Sequence, residues 1–552
     1  MKSQISNLKS QITNILFLVV VLIVIAAGLR LWEVGQVPPS PDWDEAALGY
    51  NAYSLLHTGR DEYGQFLPVV LRSFDDYKPA LYSYLIIPFL FLFGLSIQAV
   101  RMPSIFFGIT TVVVVFLLAE HLFNNKKLSF LIALLLAISP WHIQFSRIGF
   151  ESNVGLAFNI FGIFFFLKGL KKPYLLFLSV FSFCASIYVY QSEKVFSPLM
   201  LFMLIVIFHK QLFQVSKKHL ITAILLGILF ILPMGLYLIT NPNALARAKG
   251  VSVFSDNSQI ASTTLRIGVD MKNHDYLGYV VDNRRLVFVK DIAANYLSHY
   301  DLKWLFITGD VSRHHAPFMG LLYFWELPFL IAGIYYFIFS KYDKKTKLLI
   351  LGWFLLAPLP ASVTTGVPHA VRTLNFLPTW QIFIAFGLFG FYKFMEQKNK
   401  WLQYGFIACV SIAAIFNFAY FVDQYFVQQN YYNSLDWQYG YEQAVSYVSS
   451  LGAKEVVVTN QPPLDQSYIF FLFYLKYDPF LYQSQTKDVS GGFREDHVFG
   501  RYVFRPIEWN IEKKNSQTIY VGRPEDFPSN IHVLKTIFYL DGKPAIEIVR
   551  GE

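Results

Sequence analysis

The chain has 552 residues, of which 54% are hydrophobic, 18% are aromatic and only 15% are charged. Soluble chains are usually about one quarter charged, and many apolar stretches here reach the roughly 20 residues that cross a bilayer. The composition therefore excludes an ordinary soluble protein and indicates a multi-pass membrane protein. The net charge of +9 does not indicate a nucleic-acid partner, because lysines and arginines cluster in short loops between apolar runs, as membrane topology requires.

The first apolar run, ITNILFLVVVLIVIAAGL, is long for the core of a signal peptide, and no small-residue cleavage site follows it. It predicts a retained membrane helix, with Lys2 and Lys9 holding the N-terminus in the cytoplasm. The pattern predicts eleven spans, at about residues 12–31, 99–122, 128–146, 153–169, 174–191, 195–209, 219–239, 317–340, 346–362, 374–394 and 402–422. The positive-inside rule places the lysine-rich loops in the cytoplasm: 124–127, 168–172, 209–219, 340–347 and 393–400.

The apolar run 79–95 is short and has Pro88 in its middle. If it crossed the membrane, loop 124–127 would lie outside, in conflict with the later lysine-rich loops. We therefore predict an interfacial or re-entrant helix here. The resulting topology leaves three long segments on the outer side of the membrane: 32–98, 240–316 and 423–552.

The last of these segments has the pattern of a small α/β domain. YEQAVSYVSSLG predicts a helix that ends at Gly452, and KEVVVTN and QTIYVG predict strands. VLKTIFYL and PAIEIV predict a hairpin joined by Asp541-Gly542. The sequence thus predicts a membrane region over residues 1–422 and an extracytoplasmic domain over residues 423–552.

The first outer segment opens with an acidic stretch, PPSPDWDEAALGYNAYSLLHTGRDEYGQFLP, over residues 38–68. A surface helix explains part of it, because Asp42 can cap the helix, Glu45 can complete a capping box and Gly59 can end it. That interpretation leaves Asp44 without a role. A carboxylate at the mouth of a membrane cavity has a raised proton affinity and can act as a general base.

Four cationic or imidazole side chains are predicted on the same outer side, near the ends of spans: Lys78, Arg147, His369 and Arg372. Each of them alone is explained as an interfacial anchor or an ion-pair partner. Together they oppose the usual preference of positive charge for the inside and predict a site that binds a leaving phosphate. Trp141 and His142 are interpreted as interfacial or packing residues rather than catalytic ones, and the adjacent pair His314-His315 is a poor metal signal.

Four segments carry a resemblance to a known family: DWDEAALGYNAYSLLHTGRDEYGQFLP, YKPALYSYL, QAVRMPSIFFG and SPWHIQFSRIGFESN. In this order they resemble bacterial family 39 glycosyltransferases of the GT-C class, which are relatives of protein O-mannosyltransferases and lipid A aminoarabinose transferases. The resemblance covers residues 10–420 and is strongest before residue 160. It implies a mainly α bundle of about eleven membrane helices, with juxtamembrane helices in the first outer loop.

The resemblance also implies roles for individual residues. The acidic pair of the first outer loop, Asp44 and Glu45, is implied to be catalytic, and so is Glu151 in the second outer loop. The alternative for Glu151 is a local ion pair with Arg147, four residues earlier. GVPHAVRTLNFLP resembles the late outer loop that meets the donor phosphate. The phosphate-binding residues are thereby implied to be His369 and Arg372, together with Lys78 and Arg147.

Metal dependence is left open by the resemblance. Tyr77 stands where some relatives have an acid before Lys-Pro, and Asp76 lies one residue earlier. The candidates for a metal ligand are Asp76 and Glu151. No certain cofactor follows from the sequence. A divalent metal ion is an expectation that rests on this resemblance alone.

The implied reaction transfers a sugar from polyprenyl phosphate to an acceptor hydroxyl on the outer face of the membrane, by inverting displacement. The implied partners are a polyprenyl-phosphate-linked sugar, membrane lipids and a lipid, glycan or protein acceptor. The alternatives are a transporter or flippase, a membrane anchor for a binding domain, and a lipid-linked oligosaccharide transferase.

Overall fold

The computed structural model describes residues 2–551 apart from 75, 243, 245–249, 256 and 486–494, with the backbone alone for 2–14 and 257. The first half of the chain contains α1 (Lys2–Leu31), α2 (Trp43–Thr58), β1 (Val70–Ser73), β2 (Asp76–Pro79), α3 (Leu81–Phe93), α4 (Ile97–Phe123), α5 (Lys126–Ala137), α6 (Pro140–Arg147), α7 (Glu151–Gly169), α8 (Leu175–Ile187), α9 (Glu193–Leu212) and α10 (Lys217–Thr240). The large outer loop contains α11 (Asn257–Asn273), α12 (Tyr276–Val281) and α13 (Arg284–Ser298).

The remaining helices are α14 (Leu327–Ile338), α15 (Lys344–Leu356), α16 (Leu359–Ser362), α17 (Thr379–Lys398), α18 (Lys400–Val422), α19 (Gln429–Asn433), α20 (Tyr441–Ser450), α21 (Ser467–Leu475) and α22 (Pro479–Gln485). The C-terminal strands are β3 (Glu455–Val458), β4 (His497–Phe499), β5 (Tyr502–Phe504), β6 (Thr518–Gly522), β7 (Val533–Phe538) and β8 (Pro544–Arg550). The chain is thus mainly α, as the sequence predicts, with a small C-terminal sheet domain.

Six described helices are long and apolar enough to cross a membrane: α4, α7, α9, α10, and the continuous helical segments Leu374–Lys398 and Lys400–Asn433. The pair α5 and α6, bent by 55°, makes a seventh if it acts as one span. Shorter apolar helices accompany them at Ile15–Leu31, Leu81–Phe93, Leu175–Ile187 and Phe324–Ile338. These helices indicate a multi-pass membrane protein, while the count of eleven spans and the direction of the termini stay predictions.

Close contacts between backbones hold parts of this bundle together. A Cβ added to Gly333 of α14 would lie 1.7 Å from the carbonyl oxygen of Phe383 in α17. A Cβ at Gly387 of α17 would lie 2.0 Å from the carbonyl oxygen of Phe329. Small residues let membrane helices approach until their backbones touch, which gains dispersion energy in a solvent that provides no hydrophobic force. Any larger side chain at either glycine would separate the two helices.

The first outer loop folds as α2, a hairpin of β1 and β2, and α3. Asp42 caps α2 by accepting a hydrogen bond of 2.8 Å from the backbone N–H of Glu45, and Gly59 ends the helix with a φ of +68°, both as predicted. The predicted capping box does not form, because the Glu45 carboxylate is used elsewhere. The predicted interfacial helix corresponds to α3, whose 13 residues are too few for a straight crossing.

The C-terminal sheet has the strand order β4-β5-β3-β6-β8-β7. β3 lies parallel to β5 and β6, whereas β7 and β8 form the antiparallel hairpin predicted around Asp541-Gly542. The domain contacts the first outer loop directly, since the Gln483 side-chain amide donates to Ser54 Oγ at 2.9 Å and to the carbonyl of Asp61 at 2.8 Å. The sheet domain therefore packs against α2, the helix that carries Asp44.

Candidate active site

A polar pocket lies where the first outer loop, the start of α7 and two late loops meet. We call it the central pocket, and it is lined by Asp44, Lys78, Pro79, Phe150, Glu151, Tyr190, Gln191, Arg313, His314, His369 and Val371. These residues come from segments that are up to about 330 positions apart in the chain. Four of the residues singled out from the sequence are among them: Asp44, Lys78, Glu151 and His369.

Asp44 and Lys78 form an ion pair at this pocket. Asp44 lies in the first turn of α2, and Lys78 is held in β2 by pairing with Leu71. The Lys78 side chain is 10% exposed and that of Asp44 is 27% exposed, so the carboxylate is accessible while the ammonium is nearly enclosed. Burial opposes the charge on Lys78, but the carboxylates of Asp44 and Glu151 outweigh it and raise its pKa.

Glu151 is the first residue of α7, where the helix dipole favours an acidic side chain. The ion pair between Glu151 and Arg147 is an alternative that the geometry does not favour, because the Arg147 guanidinium donates elsewhere. Its Nη1 donates to the carbonyls of Leu29 and Arg30 at 2.9 and 3.1 Å, and its Nη2 donates to that of Val37 at 3.0 Å.

Arg313 is a cation of the central pocket that the sequence analysis missed. Its Nη1 donates to Asp42 Oδ2 at 2.7 Å, and its guanidinium lies 4.4 Å from the centre of the Trp43 ring. The side chain is 21% exposed, so it is held at one end and still open to the pocket. Burial raises the pKa of Asp42 to about 7, although the Arg313 charge acts in the opposite direction.

Three further side chains form a cluster that can hold a cation, Asp310, His314 and His369, whose potential ligand atoms lie within 4.8 Å of one another. His314 Nδ1 is 3.0 Å from Asp310 Oδ2, which also accepts from the Ala370 N–H at 2.5 Å. Burial lowers the pKa of both histidines, whereas at Asp310 burial acts to raise the pKa and the hydrogen bond from His314 outweighs it, so the pKa of Asp310 is lowered. Neutral imidazoles with a carboxylate are a donor set that suits zinc or manganese. His315 does not join the cluster, since its Nδ1 lies against the Ala316 carbonyl at 2.7 Å.

A second, largely apolar cavity adjoins the central pocket and shares Tyr190 and Gln191 with it. Its other lining residues come from α9, α10 and the loops around residues 251–254 and 360–372, and include the cations Lys194 and Arg372. Arg372 Nη1 donates to Thr364 Oγ1 at 2.6 Å and to the Thr365 carbonyl at 2.8 Å. The two cavities together offer a polar chamber beside an apolar one, with cations close to their shared wall.

Three predicted site residues are not among the described residues that line either cavity. Glu45 is fully buried, where its Oε1 accepts from Arg101 Nε at 2.8 Å and from the Gly149 N–H at 2.6 Å. Arg147 is also fully buried and closes the end of α1. Asp76 lies at the turn of the hairpin, opposite Ser73. The geometry thus gives Glu45 and Arg147 structural positions, and among the described residues Asp76 lines neither cavity.

The interpretation of Trp141 and His142 as packing residues agrees with their contacts. Trp141 is 1% exposed, and its indole N–H donates to the Ala370 carbonyl at 3.3 Å. His142 is fully buried, with Nδ1 2.7 Å from Arg30 Nη2. Both side chains therefore connect α6 to neighbouring elements behind the pocket.

Comparison with known proteins gives an independent view of this arrangement. Residues 77–237 match the family described as dolichyl-phosphate-mannose-protein mannosyltransferase, a segment that includes Lys78, Glu151 and the wall shared by the two cavities. A search of curated proteins returned no significant match.

Solved structures match over the whole chain. ArnT from Cupriavidus metallidurans in the apo state is similar with a TM-score of 0.55 at 12% identity, covering 99% of this chain and 98% of that one. The same protein bound to undecaprenyl phosphate gives a TM-score of 0.54 at 12% identity, covering 98% of each chain. The resemblance to GT-C glycosyltransferases of family 39 type is therefore confirmed, in fold over nearly the whole chain and in sequence over residues 77–237.

Proposed function

We propose that this protein transfers a sugar from a polyprenyl-phosphate donor to an acceptor hydroxyl on the outer face of the membrane, with inversion at the anomeric carbon. The observation that carries the proposal is the Asp44–Lys78 ion pair at a pocket that also contains Glu151 and Arg313. A base beside cations is the arrangement that such a displacement needs, and the likeness to ArnT bound to undecaprenyl phosphate supports the donor class.

In the proposed reaction, Asp44 takes the proton of the acceptor hydroxyl as its oxygen bonds to the anomeric carbon. The bond from that carbon to the phosphate oxygen breaks, and the phosphate leaves with the electron pair. Lys78 and Arg313 in the central pocket and Arg372 in the adjoining cavity neutralise the negative charge that develops on the phosphate. Donors that are fixed in place in a poorly solvated site stabilise such charge strongly.

The apolar cavity provides a place for the lipid part of the donor. It is lined in part by α9 and α10, both of which are long enough to cross the membrane. A polyprenyl chain in this cavity would bring its phosphate to the wall near Arg372 and Lys194. Glu151 is proposed to orient the acceptor, since it lines the central pocket at the N-terminus of α7.

A divalent cation held by Asp310, His314 and His369 would supply further positive charge to this side of the pocket. The donor set fits such an ion, since the potential ligand atoms of the three side chains lie within 4.8 Å of one another. The three residues also fix the loop that carries Arg313 to the loop that carries Arg372. The cluster can therefore hold the two loops together without taking part in the reaction.

The test compares the wild type with Asp44→Asn, using purified protein, a panel of radiolabelled undecaprenyl-phosphate sugars and envelope fractions as acceptors. We expect the variant to bind undecaprenyl phosphate but to transfer sugar at least about 1,000-fold more slowly. Asp541→Asn, a change in the hairpin turn of the sheet domain, is the matched control. Equal transfer by wild type and Asp44→Asn would contradict the proposal, and transport without a glycosyl product would favour a transporter.

A further inference from the structure

Glu193 is a buried carboxylate next to the central pocket that the proposed reaction does not use. It is the first residue of α9 and is 1% exposed. Its Oε1 accepts from Asn375 Nδ2 at 2.8 Å, and its Oε2 accepts from Asn159 Nδ2 at 2.5 Å. Longer contacts of 3.4 Å join it to the hydroxyls of Ser186 and Ser192. Burying a carboxylate among neutral donors is costly. The elements that provide these donors show what Glu193 holds together.

The hydrogen bonds of Glu193 join three elements that carry pocket residues. Asn159 belongs to α7, which begins at Glu151. Asn375 follows Arg372 by three residues and is itself held by Trp353, whose indole N–H donates to the Asn375 carbonyl at 2.6 Å. The two asparagines also contact each other, with Asn159 Nδ2 donating to Asn375 Oδ1 at 2.9 Å.

The turn before Glu193 holds the strand that carries Lys78. Gln191 Nε2 donates to the carbonyl of Tyr77 at 2.5 Å, and the N–H of Leu81 donates to the carbonyl of Tyr188 at 3.1 Å. These two bonds flank Lys78 on either side. A shift of the turn would therefore move the ammonium relative to the rest of the pocket.

Close packing fixes Glu193 against α7. A Cβ added to Gly155 would lie 2.9 Å from Glu193 Cγ and 3.0 Å from its Oε1. Ser186 donates to the Gly155 carbonyl at 3.2 Å, and the Ser197 hydroxyl donates to Asn159 Oδ1 at 2.7 Å. The carboxylate therefore has one position, set by the backbone of α7 and by the direction of each donor.

We infer that Glu193 is a positioning residue: it holds Arg372 and Lys78 in the mutual arrangement that receives the donor phosphate, and Glu151 in its place beside them. The inference rests on the proposed function, because it names how the cations of that site are aligned. Small displacements of such groups are expensive, since a misplacement of about 1 Å can cost about a hundredfold in rate.

The test measures the affinity of the purified full chain for undecaprenyl phosphate in detergent, with thermal stability recorded for each variant. Glu193→Gln keeps the size but turns one acceptor into a donor that faces an asparagine amide. We expect roughly tenfold to a hundredfold weaker binding, the change in affinity that corresponds to the loss of one charge-assisted hydrogen bond. Combining Glu193→Gln with Asn375→Asp, which we call the exchange variant, moves the carboxylate to position 375 and the amide to position 193. The pair then keeps one donor and one acceptor with their direction reversed, and we expect binding within about threefold of wild type.

Glu326→Gln is the matched control, since Glu326 is also buried in the membrane region, at 2% exposure, and accepts a backbone hydrogen bond of 3.2 Å from Tyr323. It is not among the described residues that line either cavity. We expect wild-type binding in this variant. Weak binding by Glu193→Gln that the exchange variant restores supports the inference, since a general loss of packing would not be repaired by reversing one hydrogen bond.

Unchanged binding in folded Glu193→Gln, or weak binding in a folded exchange variant, would overturn it. If Glu193→Gln does not fold, the binding of the exchange variant decides. Binding within about threefold of wild type supports the inference, and weaker binding overturns it. A wild type that does not bind undecaprenyl phosphate contradicts the proposed function itself, whereas a binding wild type that Glu193→Gln matches contradicts only the role of Glu193.

Discussion

Arg313 Nη1 lies 2.7 Å from Asp42 Oδ2, although 271 residues separate the two in the chain. The contact connects the N-terminus of α2, and hence Asp44, to the loop that carries His314. Because Asp42 is fully buried and Arg313 is 21% exposed, the carboxylate acts as a fixed support for a cation that faces the pocket. The same aspartate also caps α2.

Asp42→Asn separates these two functions. Asparagine caps a helix about as well as aspartate, so we expect α2 to persist while Arg313 loses its charged partner. Binding of undecaprenyl phosphate should weaken by about tenfold, since a charge-assisted hydrogen bond contributes about 1.5–3 kcal/mol. The measurement is a binding titration at constant salt. Asp275→Asn changes a cap of the same type on α12 and should leave binding unchanged; a similar loss in that variant would contradict the explanation.

Arg147→Met tests whether this arginine binds the donor or supports the fold. Its guanidinium satisfies three backbone carbonyls around the end of α1, so its loss leaves buried acceptors without partners, at about 1–3 kcal/mol each. We expect a lower thermal midpoint and less folded protein, with unchanged affinity for undecaprenyl phosphate in the folded fraction. A stable variant with weak binding would instead restore the phosphate-binding role that the sequence analysis assigned.

The cluster of Asp310, His314 and His369 should bind zinc or manganese. Neutral imidazole is the ligand, and burial lowers the pKa of both histidines, so cation binding should persist at a pH below the ordinary histidine pKa of about 6.5. Equilibrium dialysis followed by metal analysis measures the stoichiometry. His314→Ala should lose the bound ion, and His274→Ala, in the large outer loop, is the control. Equal metal content in both variants would exclude this cluster as the site.

Glu62 provides a pH-dependent test of the packing within the first outer loop. Burial raises its pKa from 4.5 to about 8, while Asn51 donates to its Oε1 at 3.1 Å. The folded state therefore binds the proton more tightly than the unfolded state, and stability should fall as pH rises from about 4.5 through about 8. Glu62→Gln keeps an acceptor for Asn51 and removes the charge.

We expect Glu62→Gln to raise the thermal midpoint by about 1–3 °C at pH 8.5 and to have little effect at about pH 4, where the Glu62 carboxyl is largely protonated in both the folded and the unfolded state. Thermal unfolding at the two pH values, with Glu525→Gln as the exposed control, measures the difference. A gain that is equal at both pH values would show that the charge of Glu62 is not its cause.

Local sequence signals predicted much of the secondary structure. Asp42 and Gly59 mark the ends of α2 because capping depends on a few neighbouring residues, and the alternation in VLKTIFYL and PAIEIV fixes a hairpin around Asp541-Gly542. The short strands β4 and β5 and the helix α21 were missed. Their apolar residues are too few or too continuous to show a period, and their burial comes from the rest of the sheet.

The predicted site was partly correct for a similar reason. Asp44, Lys78, Glu151 and His369 were recognised by residue type and resemblance, and they meet at one pocket. Arg147 was grouped with them because a cation near the end of a span is ambiguous: the same side chain can face a phosphate or close a helix. Its hydrogen bonds to three backbone carbonyls, which are visible only in the tertiary structure, indicate that it closes the helix. Arg313 was missed because no local pattern marks an arginine whose partner lies 271 residues away.

By itself, the sequence determined that the chain lies in a membrane, where α2 and the C-terminal hairpin begin and end, and which acids and bases are available for chemistry. These properties depend on hydropathy and on contacts between near neighbours. The tertiary structure alone decided that Glu45 is enclosed by Arg101 and Gly149 while Asp44, one residue earlier, opens to the pocket. Successive residues of a helix point about 100° apart, so the packing around α2 assigns one carboxylate to the fold and the other to the site.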